Sequence, residues 1–147
     1  MNELNFLLER DDDWPPVSHE CLPCIKISDS YKIDDAPFFI KGLSVGDIID
    51  VKFNEKSEVI DWKIIDKSKR TTIWILRLSI ESTEHILNVL SELRNQKCNT
   101  SELSQFGMYT VDVPEDLDIG YIDKCLESFD RSKVAVAFPS FRHQDSK

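Results

Sequence analysis

Long apolar runs are missing from this chain. Nothing in it approaches roughly eighteen consecutive apolar residues, so no transmembrane helix is predicted. The opening residues MNELNFLLERDDDW have no basic segment and carry Glu3, Glu9 and three aspartates instead. That is a poor secretory signal, and a cytoplasmic protein is the expectation. The P-loop and the dinucleotide-binding glycine fingerprint are both absent. Histidine is confined to His19, His85 and His143; His85 falls in the first turn of an expected helix and His143 in the tail, and neither has a nucleophile at motif spacing. The expectation is a protein that is not an enzyme and uses no cofactor. Internal repeats and low-complexity tracts are lacking as well.

Cysteine is sparse: Cys21, Cys24, Cys98 and Cys125. Cys21-Leu22-Pro23-Cys24 has redox or zinc-ligand spacing, with His19 just upstream. A redox motif belongs between a strand and a helix, whereas here Pro15-Pro16 precedes and the alternating Cys24-Ile25-Lys26-Ile27 follows. A zinc site needs a second ligand pair, and neither Cys98 nor Cys125 belongs to one. Free, partly buried thiols are therefore expected, with no metal.

Acid is what the chain has in excess: 27 acidic against 18 basic side chains leave a net charge of −9. Such a surface repels nucleic acid and anionic membranes, and attracts a basic partner. Apolar residues make up 41% and aromatics 10%, enough for a buried core without disulfides. Arg10-Asp11-Asp12-Asp13 lacks the spacing and glycine of a calcium loop and reads as a solvated acidic turn.

Patterning divides the chain into a segment 1–66, a basic exposed link Lys67–Arg70, a segment 71–138 and a polar tail 139–147. In the first, residues 3–9 read as an edge strand, Val17–Ile27 as a strand interrupted at Pro23, and Tyr31–Ile33 as a short strand. Pro37–Val51, PFFIKGLSVGDIIDV, organises this half: a buried aromatic segment, glycine turns, and then a strand. Ile48–Phe53 and Val59–Ile65 flank a four-residue polar loop of hairpin length. Ile60, Trp62 and Ile64 are taken as the apolar face of the second strand. A small curled antiparallel sheet follows from this pattern.

From Thr71 a strand leads to a helix over 83–96, with Ser82 as its expected N-cap and Ile86, Leu87, Val89, Leu90 and Leu93 at helical spacing. Cys98–Ser104 is a polar edge strand, Phe106-Gly107 a turn, and Met108–Val113 a strand halted by Pro114. Asp116 is expected to cap a second helix striped by Ile119, Ile122, Cys125, Leu126 and Phe129, and Val134–Phe138 is the last strand. The order β-α-β-β-α-β is ferredoxin-like. The fold class is α+β, a curled antiparallel β subdomain followed by a ferredoxin-like one, with Trp62 and Trp74 assigned to the core.

Three stretches together resemble a bacterial family known as domain of unknown function 4265. DDDWPPVSHECL is similar to its opening motif, an acidic run, a Pro-Pro pair and then a glutamate. PFFIKGLSVGDIIDV is similar to its central signature, and MYTVDVPEDLDIGYIDKCL to its third motif. Cys21–Cys24 departs from the apolar or aromatic residues of that pattern. The resemblance implies the same two-part α+β architecture, and implies no activity, cofactor or catalytic residue.

By analogy of size and charge, such small acidic proteins suggest an immunity role, binding a toxin domain, in particular a basic nuclease, and blocking its active site. The expected contact residues are the anionic patches Asp11, Asp12, Asp13, Asp34, Asp35, Glu115, Asp116 and Asp118. Trp14, Tyr31 and Tyr121 are the expected aromatic anchors. The alternative is a small-molecule-sensing or scaffold domain of ferredoxin-like type, although Leu78–Ser82 lacks the glycine such a strand–helix loop uses.

Overall fold

Residues 2–143 are described by a computed structural model, which splits into two compact units, the first ending at Ser68 and the second beginning at Lys69. Each has its own hydrophobic core.

The first unit is a closed five-stranded barrel in the order β1-β2-β3-β4-β5: Asn2–Leu7, His19–Ile27, Ser30–Ile33, Ile48–Phe53 and Val59–Asp66. Successive strands pair antiparallel. A meander with an odd number of strands brings its first and last strands together in the same direction. Closure is accordingly a parallel contact, Phe6 opposite Val59. The expected edge strand therefore has neighbours on both sides, and closure removes an edge that would otherwise template aggregation.

Pro23 does not interrupt β2; it pairs with Glu3. On its other side it lies one step past the last β2–β3 pair, Cys24 with Ile33, where its carbonyl still accepts the Asp34 N–H at 3.0 Å. The N–H that proline lacks thus falls where the ladder has already ended. On β5 the expected apolar face is corrected. Val59 opposes Phe53 and Asp61 opposes Lys52, so Ile60 is the extra residue of a bulge. The bulge turns Ile60 outward, 48% exposed, and lets Val59 point inward with Trp62 and Ile64 packed beside it.

The loop 34–47 completes the barrel by inserting Ile40 and Leu43 into a core of Leu4, Phe6, Leu22, Cys24, Ile33, Ile49 and Val59. Burying each such side chain is worth about 1.5–3 kcal/mol. Gly46, at φ +90°, makes the turn that hands the chain to β4, its N–H donating to the Ile33 carbonyl at 2.8 Å. Next to it the fully buried Asp47 accepts N–H bonds from Ser44 and Ser68, each 2.8 Å. The Gly-Asp of the central signature is thus a turn plus an internal anchor for the end of the unit.

The second unit is a four-stranded antiparallel sheet, order β7-β8-β6-β9, with two helices. Its elements are β6 Thr71–Arg77, α1 Thr83–Asn95, β7 Asn99–Leu103, β8 Met108–Val113, α2 Ile119–Glu127 and β9 Val134–Ser140. This is the ferredoxin-like arrangement. Ile86, Val89, Leu90 and Leu93 of α1 and Ile122 and Leu126 of α2 are buried with Ile73, Ile75, Tyr109, Val111, Val113 and Val134 of the sheet.

Ser82 holds the expected N-cap position of α1, though without a side-chain cap bond, and the expected cap of α2 is corrected. The Ser82 hydroxyl makes no cap bond to α1; it donates to the Ser79 carbonyl at 2.6 Å, closing the 3-10 turn Ile80–Ser82 that precedes the helix. For α2 the cap is Asp118, not Asp116: its carboxylate accepts the Gly120 N–H at 3.1 Å. β9 runs two residues further than expected. The polar tail therefore begins inside a strand, and His143 is docked between Thr71 and the Pro114 carbonyl. Residues 144–147 of that tail lie outside the described residues. The link is less exposed than expected too. Ser68 is tied to Asp47, and Arg70 forms a two-pronged ion pair with the buried Asp112, both contacts 2.8 Å. Trp62 and Trp74 are half-buried rather than internal.

Candidate functional site

Between β1 and β2 the chain makes a tight acidic turn. Asp11 and Trp14 exchange two backbone hydrogen bonds, 2.8 and 3.0 Å, while Asp12 and Asp13 sit at φ +51° and +68°. Aspartate is among the few side chains that accept this left-handed region. The Trp14-Pro15 bond is cis, and Pro15 is buried with its carbonyl held by Arg10 Nε at 2.9 Å. All three carboxylates are exposed, and so is half of the Trp14 side chain, at 49%.

A large indole in water is unusual unless something holds it there. Here Phe39 does, meeting Trp14 edge-to-face with ring centroids 5.8 Å apart. Phe39 is positioned in turn by Glu20 on β2. The Glu20 carboxylate accepts the backbone N–H of Phe38 at 2.6 Å and of Phe39 at 3.0 Å. Glu20 occupies the inward phase of β2 with Leu22 and Cys24, and only 9% of it is exposed. Burial pushes its carboxyl up to about 7 against the two N–H bonds, which pull the other way, and the like charge of Asp35 adds to the rise. Phe39 also lines a groove of about 470 Å³ flanked by Leu7, Leu8, Ile60 and Trp62.

Of the residues expected at the interface, Asp11, Asp12, Asp13 and Trp14 share one tight turn, and Asp35 acts electrostatically on Glu20. Asp35 also accepts the Ala36 N–H at 2.9 Å. Asp34 is exposed beyond the end of β3. Tyr31 is half-buried against the barrel core, edge-to-face with Phe53 and under Lys26, so it serves packing. Glu115, Asp116, Asp118 and Tyr121 belong to the second unit. Asp118 is engaged as a cap. Tyr121 packs on the core there and donates to Glu92 at 3.4 Å, its hydroxyl pushed up to about 12 by burial and by Cys125.

Glu20 was missed by reading strands as apolar patterns. The signal available was a charged residue in the inward phase of an alternating strand.

Two further clusters bear on chemistry. His85 Nε2 lies 3.0 Å from Ser128 Oγ and 3.1 Å from the Ser128 carbonyl, while the hydroxyl donates to the Cys125 carbonyl at 2.9 Å. The imidazole nitrogen is therefore the donor, which is the wrong polarity for activating a nucleophile. Cys21 and Cys24 point to opposite faces of β2, as residues three apart on a strand must, and cannot act as a pair. Burial raises the Cys24 thiol, and raises Cys98 to about 11 with Asp112 adding to it, so both stay protonated. Among the described residues no group of three or more His, Cys, Asp or Glu side chains is placed to hold a metal. No helix of the described residues is long and apolar enough to cross a membrane.

Barrel and ferredoxin-like unit together define an α+β protein of two small units with an acidic aromatic turn on the first. Residues 20–136 match the model of a domain of unknown function, DUF4265, and the chain belongs to that family. A solved structure described as a novel crystal structure of a hypothetical protein from Neisseria gonorrhoeae shares the fold. The TM-score is 0.68 over 97% of this chain and 96% of that one, at 16% sequence identity. No curated protein matches the chain.

Proposed function

We propose that this protein is a cytoplasmic, non-enzymatic binding module of the immunity type, which neutralises a basic toxin domain, a nuclease above all, by covering its active site. The observation that carries the reading is the Asp11–Trp14 turn. Three exposed carboxylates share one tight turn with an indole that is half exposed yet packed edge-to-face on Phe39. Interfaces draw most of their energy from such pre-positioned aromatics, and carboxylates around them add rate and specificity toward a cationic surface. A nuclease presents that surface because it binds phosphates, so an acidic protein competes for the cleft without doing chemistry.

The test is co-expression with the neighbouring reading frame, followed by affinity measurement across a salt series. The triple change Asp11→Asn, Asp12→Asn, Asp13→Asn keeps residues that tolerate the left-handed turn while removing the charge. It should weaken binding and flatten the salt dependence. Full affinity in the triple variant would remove this turn from the interface. A small-molecule-sensing role is the second reading, favoured by the groove of about 410 Å³ between α1 and α2, lined by His85, Glu92, Tyr121 and Lys124. A thermal shift with metabolites and no protein partner would select it.

A further inference from the structure

Glu20 is a carboxylate with an assignment that neither packing nor solubility explains. It stands among apolar side chains of the barrel and spends both oxygens on consecutive backbone N–H groups, those of Phe38 and Phe39. The second of these residues is the one under Trp14. A carboxylate accepts both N–H bonds well. A neutral carboxyl keeps one good acceptor, its carbonyl oxygen, and turns the other oxygen into a donor facing an N–H. The two protonation states therefore cannot hold the Phe38–Phe39 backbone in the same way.

We propose that Glu20 is a proton-operated clamp on the Trp14 epitope, locking Phe39 beneath the indole when ionised and loosening it when protonated. Its effect on partner affinity rests on the binding role proposed for the Asp11–Trp14 turn; the clamp itself does not.

The surroundings place the transition near neutrality. The residue paired with Glu20 on β1 is Phe6, which carries no charge. From the loop packed over it, Asp35 is the charged group that acts on it, and it opposes ionisation. On its own strand, Leu22 and the protonated thiol of Cys24 share the inward phase, while His19 and Cys21 fall in the alternate one. Burial and Asp35 together bring the carboxyl to about 7. The clamped fraction then falls roughly tenfold between pH 8 and pH 6.

The experiment is a nuclear magnetic resonance titration of the whole chain from pH 5 to 8. It follows the Phe38 and Phe39 amide protons and the Trp14 indole N–H. All three should move with one midpoint near 7 and stand still in Glu20→Gln. Phe39→Leu should keep the Phe38 titration and uncouple Trp14, and Asp35→Asn should lower the shared midpoint. Amides that do not titrate in this range, or a Trp14 signal indifferent to the amide transition, would overturn the clamp. Should Glu20→Gln fail to fold, the wild-type and Phe39→Leu titrations still decide. Shared titration in a protein that binds no basic partner would sink the immunity reading and leave the clamp standing.

Discussion

A buried carboxylate has a stability signature of its own, and for Glu20 the sign is the reverse of the usual acidic residue. Its carboxyl is raised from 4.5 to about 7 on folding. The stability it contributes is complete below pH 4.5, where both states are protonated, and is lost as the pH climbs through 7. We expect urea unfolding to show the wild type losing on the order of 3 kcal/mol across that window relative to Glu20→Gln. Parallel profiles for the two proteins would show that this carboxyl does not titrate there. Arg70 poses the opposite case. Its partner Asp112 has a side chain only 3% exposed, with Asn99 donating to it at 3.0 Å besides the guanidinium. Arg70→Met strands that charge and should cost about 3 kcal/mol or more, and Asp112→Asn on top should recover part of it. Additive losses in the double variant would argue that the ion pair contributes nothing.

Elements in this chain are decided by their ends as much as by their stripes. α2 has only nine residues, too few to be stable alone, so its cap and its two buried residues Ile122 and Leu126 both count. Asp118→Ala removes the cap and should destabilise by about 1 kcal/mol. Asp116→Ala should stay within about 0.5 kcal/mol, since the exposed Asp116 makes no cap. Chemical unfolding of the two variants separates them, and equal losses would show that the cap has been misplaced. The β5 bulge is the same lesson for a strand. One additional residue, Ile60, changes which of two apolar neighbours faces the core, and composition is blind to that choice.

At the scale of the whole molecule, the proposed binding role gives the net charge of −9 and the Trp14 turn effects on different rates. Long-range attraction steers encounter, so association with a basic partner should slow steeply as salt rises. In the complex we propose, the aromatic contact would govern how long the two proteins stay together. Trp14→Ala should therefore speed dissociation by an order of magnitude or so while leaving the salt slope of association intact. Stopped-flow and surface-based kinetics separate the two terms; a Trp14→Ala change seen only in association would place the indole outside the contact.

Much of this architecture was legible from the chain alone because period and turn chemistry are local. The apolar strand Ile48–Phe53, the polar Asn54–Ser57 loop, helical spacing from Ile86 to Leu93 and the β-α-β-β-α-β order all depend on residues within a few positions of each other. The family could be read from three short motifs for the same reason. What the tertiary structure alone decided involves partners far apart in sequence. Closure of β1 on β5, Asp47 reaching Ser68, Arg70 reaching Asp112 and His143 docking on Thr71 each join residues 20 or more positions apart. The site divides along the same line. That Asp11–Asp13 and Trp14 form an acidic aromatic turn was written in four adjacent letters. That the turn is held up by Phe39, and Phe39 by Glu20, was not. A carboxylate's burial and its protonation are set by whatever the fold packs around it, and no local pattern contains that.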